Sequence, residues 1–223
     1  MQFDLEKTIE SIKNDEDFLK LKRVFEGTNG HRGEDVYAHS VETFELAREL
    51  VKGDKITNQE AKMKFEKFLN QEVGAVKNRD LLQITALVHD CGKITVFENL
   101  GPIHSSIPNG PDGSKEAPGH AYWGSIVVRD ILKRSGLSDE VIEFIANCVR
   151  LHLAGWQCWS VKISKQDLLR QLKLWSENYH AEMIFNVYCD LFYNTGFKDR
   201  IHLPLELLNM PETYEPLKYA VMN

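Results

Sequence analysis

Apolar residues in this chain recur three and four positions apart, and almost nowhere in strict alternation. That period belongs to helices with one buried face rather than to half-buried strands. It is clearest in Leu81, Ile84, Leu87 and Val88, within the stretch DLLQITALVHDCGKI that starts at Asp80. The stretch runs straight into His89 and Asp90, an imidazole beside a carboxylate. Gly92 follows, a residue able to end the helix in a left-handed conformation. Neighbours on a helix point about 100° apart, so His89 and Asp90 cannot share a face, yet both could reach an ion held just off the helix end.

The same period continues on both sides. Leu5, Ile9 and Ile12, then Phe18, Leu21 and Phe25, predict one or two amphipathic helices over Phe3–Phe25. GTNGHRGED breaks them with a turn-rich loop, in which His31 and Arg32 read as a solvated pair. Val36 to Val51 is the next helix, with His39 on or near the line of Val36, Leu46, Ala47 and Leu50. Thr57 or Asn58 caps a charged helix through Leu69 that would bury Met63, Phe65 and Phe68. Residues 101–120, GPIHSSIPNGPDGSKEAPGH, form a connection long enough to be a lid beside the His89–Asp90 helix end. His120 opens a helix to about Arg134, aligned with Trp123, Val127, Ile131 and Leu132 and so pointing inward, with a core role expected for Trp123. Ser138 and Asp139 cap a helix whose stripe of Val141, Ile145, Cys148 and Val149 closes on His152. Ser164 caps a shorter one bearing Leu168, Leu169, Leu172 and Leu174. His180 begins the last long helix, where Met183, Ile184, Val187, Asp190 and Leu191 share a side. The fold expected is all-α: a single-domain bundle of about seven or eight helices. A helical extension (1–34) precedes its body (35–200), and a Pro-rich tail (201–223) wraps it.

Composition narrows the function. The 223 residues are 43% apolar and 27% charged, with net charge −6 and pI near 5.8, an ordinary soluble balance. No polybasic patch is present, so non-specific binding to long nucleic acid is not expected, whereas a small phosphorylated substrate or an RNA end remains open. Cys91, Cys148, Cys158 and Cys189 form no C-x-x-C pair, and the acidic start lacks a signal-peptide core, so a cytoplasmic protein with reduced thiols is expected. No run approaches the ~20 apolar residues of a membrane span.

His39, His89–Asp90, His120, His152 and Asp190 each lie on the buried side or at the end of a successive helix. One such histidine is ordinarily a core residue bonded to a carbonyl; five sites in register are hard to explain that way. Asp190 sharpens the point, because an ionised carboxylate in an apolar stripe costs several kcal/mol unless paired or metal-bound, and no Lys or Arg lies one turn away. Imidazole with carboxylate suits Mn, Fe, Ni, Co or Zn. Six ligands exceed the needs of one four-coordinate catalytic ion, so two divalent ions are expected, with Asp90 the bridge.

The order H…HD…H…H…D resembles the HD superfamily of metal-dependent phosphohydrolases, whose HDxGK stands here as His89-Asp90-Cys91-Gly92-Lys93. GHAYWGS around His120 and VRLH ending at His152 are similar to the HD domain of bacterial CCA-adding tRNA nucleotidyltransferases, and DLFYNTG begins at the position of the family's last aspartate. The resemblance covers roughly residues 35–197. It implies an HD-type helical bundle, a metal site at these positions and phosphoester hydrolysis. His39, His89, Asp90 and Asp190 would hold one ion, and Asp90, His120 and His152 the other. Asp90 and Lys93 would be catalytic. Lys93, His104, Lys115 and Arg150 are candidate substrate contacts, and Trp123, Trp156 or Trp159 could stack a base. The substrates expected are nucleotides or RNA ends, with 2′,3′-cyclic phosphates foremost. The alternatives are a mononuclear 5′-nucleotidase of nucleoside monophosphates and a nucleotide-sensing module that turns nothing over.

Overall fold

A computed structural model describes residues 3–25, 34–100, 119–154, 163–176, 178–192 and 202–216. The architecture is helical, as expected. In chain order the helices are α1 (Leu5–Lys13), α2 (Glu16–Leu19) with a 3₁₀ turn (Lys20–Arg23), α3 (Val36–Leu50), α4 (Gln59–Leu69), α5 (Asn78–Val88), α6 (Lys93–Leu100), α7 (His120–Arg134) and α8 (Asp139–Leu151). Then come α9 (Lys165–Trp175), α10 (His180–Phe192), α11 (His202–Leu208) and a last 3₁₀ turn (Pro211–Tyr214). This exceeds the expected seven or eight because short pieces such as α2, α6 and α11 follow turns that periodicity does not resolve. A two-residue hairpin, β1 (Glu72–Val73) against β2 (Val76–Lys77), was not foreseen. Its strands are too short to show alternation.

Two of the expected caps form: Asn58 accepts from the Ala61 amide at 3.0 Å and Ser164 from Asp167 at 3.2 Å. Ser138 stands at the start of α8 without a side-chain capping bond, and Asp35, which was not foreseen, caps α3 by accepting from Ala38 at 2.8 Å. Such bonds satisfy amides that have no partner inside the helix.

α5 is the axis of the molecule. It packs against α3, α8 and α10, and from Leu81 to Val88 every side chain is buried. A helix apolar on more than one face must be enclosed, and α5 is shared by two cores. Leu82 and Ala86 face α4, α9 and α10, joining Phe65, Leu172, Phe185 and Val187. Leu81, Ile84, Leu87 and Val88 face the other way, joining Ile12, Phe18, Phe44, Val128 and Ile145. Its polar residues Asn78, Thr85 and His89 are buried nonetheless.

Four apolar assignments differ from expectation. Met63, Leu174, Trp123 and Phe25 are 57%, 57%, 42% and 43% exposed, and Phe25 pairs with Asp35 in an isolated bridge rather than lying in a helix. Met63 and Leu174 lie on the solvent sides of α4 and α9, where Phe65 and Leu172 already fill the core, and Trp123 stands at the outer side of α7 against Tyr122. Periodicity tolerates an error of about one position, roughly 100° of rotation, at the edge of an apolar stripe.

Gly92 also does something other than expected. It is not among the residues of positive φ, so it does not end α5 by a left-handed turn. A Cβ built on it would stand 1.9 Å from the His120 carbonyl oxygen and 2.3 Å from the Gly124 amide nitrogen. Gly124 returns the constraint, its own Cβ falling 2.9 Å from Val149 Cγ1 and 3.2 Å from the Gly92 nitrogen. The two glycines let the turn after α5 lie backbone to backbone on the first turn of α7, which carries His120. Gly92→Ala must therefore push α7 away, and overpacking of this kind costs about 3 kcal/mol. The expected result is a lower denaturation midpoint by urea titration, together with weaker metal binding because His120 moves.

Candidate metal centre

His89 and His152 are placed by the same local device. Each follows the last residue of its helix, α5 or α8, with helical backbone angles (φ −56°, ψ −33° and φ −59°, ψ −30°). Each turns its Nδ1 to a carbonyl three residues back: His89 to Ala86 at 2.8 Å, His152 to Val149 at 2.6 Å. A carbonyl only accepts, so Nδ1 donates, and in the neutral ring the Nε2 lone pair is then free to face inward. His39 comes from the first turn of α3, His120 from the first residue of α7 and Asp190 from the last turn of α10. All six residues are buried.

The structure brings the six together in two groups that share Asp90. Asp190 Oδ1 lies 3.0 Å from His39 Nε2 and 3.7 Å from His89 Nε2. Asp90 Oδ2 lies 3.2 Å from His89 Nε2 and 3.7 Å from His39 Nε2. The other oxygen of Asp90, Oδ1, faces the second pair, 3.3 Å from His120 Nε2 and 3.8 Å from His152 Nε2. Those two Nε2 atoms are 3.1 Å apart. Within each trio, His39–His89–Asp190 and Asp90–His120–His152, the ligand atoms lie within 4.8 Å of one another.

The electrostatics of the cluster are those of a site for cations. Burial alone would lower the His89 imidazolium, but Asp90 and Asp190 beside it raise it to about 10. Burial, with His120 and His89 close by, pushes His152 down to about 3. Burial opposes ionisation of both carboxylates, yet His89 and Lys93 hold Asp90, and His39 and His89 hold Asp190, well below the usual range. His89 Nε2 is fully buried without a hydrogen-bond partner. Inward-facing ring nitrogens around two ionised carboxylates suit divalent metals, and the residues present fit them.

Lys93, the first residue of α6, is buried, with its ammonium 2.7 Å from Asp90 Oδ2. It is not a solvent-facing lysine; reaching a phosphate would require it to share or leave Asp90. Arg150 is exposed near the end of α8. His104, Lys115, Trp156 and Trp159, like residues 101–118 of the connection expected to be a lid, lie outside the described residues.

Two further features of the site lie outside the sequence expectations. Glu34 places Oε1 3.8 Å from His39 Nδ1, a carboxylate behind a candidate ligand that can orient its ring. It precedes α3, where no period marks it. The other is a row of polar residues, Glu182 and Asn186, on the same helix as Asp190 and buried with it. Their spacing of four was the available signal.

A family model for the HD domain matches residues 36–192, a span that contains all six clustered residues. A comparison with curated proteins finds no match. Among the described residues no helix is long and apolar enough to cross a membrane. With most of its length matched, and its histidines and aspartates converging at the helix ends, the chain belongs to the HD domain family, a helical fold whose members are mostly metal-dependent hydrolases.

Proposed function

We propose that this protein hydrolyses phosphoesters of nucleotides or RNA ends at a dinuclear centre, with 2′,3′-cyclic phosphates the favoured substrates. The observation that carries the dinuclear reading is the division of Asp90, whose Oδ2 faces His89 and His39 while Oδ1 faces His120 and His152. His39, His89, Asp90 and Asp190 would hold one ion, and Asp90, His120 and His152 the other. Divalent ions of the Mn, Fe, Ni, Co or Zn class would polarise the phosphoryl oxygens and make a water acidic enough to attack near neutral pH. The choice of cyclic phosphate rests on the likeness of GHAYWGS and VRLH to the HD domain of CCA-adding enzymes.

The chain's own groups set up the rest. With Lys93 charged and His89 protonated, the two carboxylates are just balanced; two divalent ions would leave the site positive and draw a phosphate. Lys93 keeps Asp90 ionised and aimed. The carbonyls of Ala86 and Val149 fix the rings of His89 and His152, so these two ligands need not turn on binding. Tyr122 and Trp123, exposed on the turn that follows His120, offer faces for a nucleobase. His104, Lys115 and Arg150 remain proposed contacts to substrate.

The decisive experiment is metal content with a substrate panel. Two equivalents of metal per chain and turnover of a phosphodiester are expected; one equivalent after both aerobic and anaerobic purification would overturn the dinuclear reading. Asp90→Asn should keep its helical circular dichroism, lose metal and fall about a thousandfold in kcat/KM. Metal uptake should also release protons with a definite sign. His89, held near 10 in the metal-free chain, carries a proton at pH 7 that a cation must displace, so affinity falls as pH is lowered. His152, held near 3, is already neutral and releases none. Calorimetry in buffers of different ionisation enthalpy should count about one proton for the His39–His89–Asp190 trio. Trp123→Ala should raise KM about tenfold with kcat nearly unchanged, as loss of one base-stacking contact would; equal KM for nucleotides and a base-free phosphodiester, in both proteins, would remove Trp123 from the site.

A further inference from the structure

Behind the metal centre, the interface between α5 and α10 carries two facing rows of buried polar groups. On α5, Asn78, Thr85 and His89 fall within about 20° of one line, with the buried Leu82 at its edge between Asn78 and Thr85. On α10, Glu182, Asn186 and Asp190 recur every four residues and so stack along one side. The helices pack together and are pinned at both ends of these rows. The Asn78 amide nitrogen lies 3.5 Å from Glu182 Oε1 at one end, and His89 Nε2 lies 3.7 Å from Asp190 Oδ1 at the other.

Between the pins the hydrogen-bonding capacity is unspent. Asn186 Nδ2 and Oδ1, Thr85 Oγ1, Asn78 Oδ1 and Glu182 Oε2 are all buried without a partner. Each such group destabilises the fold if left bare, and apolar side chains in the seam would have avoided that. A series of orphaned donors and acceptors along one line is what a file of buried water satisfies. Glu182 stands two helical turns from Asp190, about 12 Å, a distance that about four hydrogen-bonded waters cover.

We infer that a file of buried water runs between α5 and α10 from the metal centre to Glu182, and that Glu182 accepts the proton of the water that attacks phosphorus. The inference rests on the hydrolase reading above. As the water's oxygen bonds to phosphorus, its proton passes along the file and converts the Glu182 carboxylate to the acid. The bond to the leaving alkoxide breaks, and the alkoxide takes a proton back along the same file. The acid has the strength this needs: burial pushes Glu182 up to about 7, against the bonds from its own backbone and from Asn78. The groups acting on it from packed elements are the Asn78 amide of α5 and the Cys148 thiol of α8, itself pushed far up by burial and by Glu182. Arg79, beside Asn78, acts on Asp80; His180, two residues away on α10, is turned to the Thr213 carbonyl. Among the described residues no lysine or arginine forms an ion pair with Glu182.

The test has one arm that needs no turnover. A high-resolution crystal structure of the metal-free chain should show ordered waters on Asn186, Thr85 and Glu182. Infrared titration should show a carboxyl band near pH 7 that Glu182→Gln removes. In the second arm, Glu182→Gln should keep metal content and KM, lose about 30-fold in kcat, and lose the limb of the pH profile near 7, while Glu182→Asp restores part of both. A dry seam, a metal ion held by the Asn78, Asn186 and Glu182 oxygens, or an unchanged pH profile in Glu182→Gln would each overturn the inference. If the unaltered protein turns over no substrate, the hydrolase reading fails and Glu182 with it as proton acceptor; waters found in the seam would then support the file alone.

Discussion

The structure depends on two buried carboxylates being kept ionised. Asp90 and Asp190 sit where burial alone would protonate them, and each buried charge costs several kcal/mol if left unpaired. What holds them is a set of three imidazoles, His39, His89 and His120, and the Lys93 ammonium, drawn from α3, the end of α5, α7 and α6. Asp90 is the keystone because its two oxygens serve different partners. The cluster is therefore an interior of mixed charge whose parts come from elements far apart in the chain, and it can form only when those helices are packed.

The packing is arranged around that requirement. α5 gives its apolar residues to two cores and keeps its polar ones for the space between them, so the centre lies at the join of the two halves rather than on a surface. The glycines at 92 and 124 close the distance between the turn after α5 and the start of α7. That contact brings His120 to the second oxygen of Asp90. The carbonyls of Ala86 and Val149 then set two of the rings before any ion arrives, and preorganisation of this kind limits the entropy lost on binding. The polar seam toward Glu182 continues the same logic away from the centre: hydrogen-bonding groups are kept inside at a cost in stability, which points to a use for them.

The helices themselves were legible in the residues. His180 as the start of α10, Asn58 and Ser164 as caps, and the inward face of His120 could all be read, because each follows from local spacing and from amides that need a partner. The misreadings fell where local spacing says little. Met63, Leu174 and Trp123 lie at stripe edges, where one position decides between core and solvent. Glu34 lies in a connection without a period, and Glu182 lies in the first turn of α10, where an acidic residue ordinarily complements the helix dipole from the surface.

Sequence alone thus determined the helical class, the order of the helices and the identity of the six residues that meet, since periodicity and the cost of a buried carboxylate act within single helices. Tertiary structure alone decided how Asp90 divides its oxygens, that Lys93 turns onto Asp90, and that Gly92 serves a close approach rather than a left-handed turn. These depend on distances between helices, and such distances are set by packing between residues remote in the chain, which no local spacing encodes.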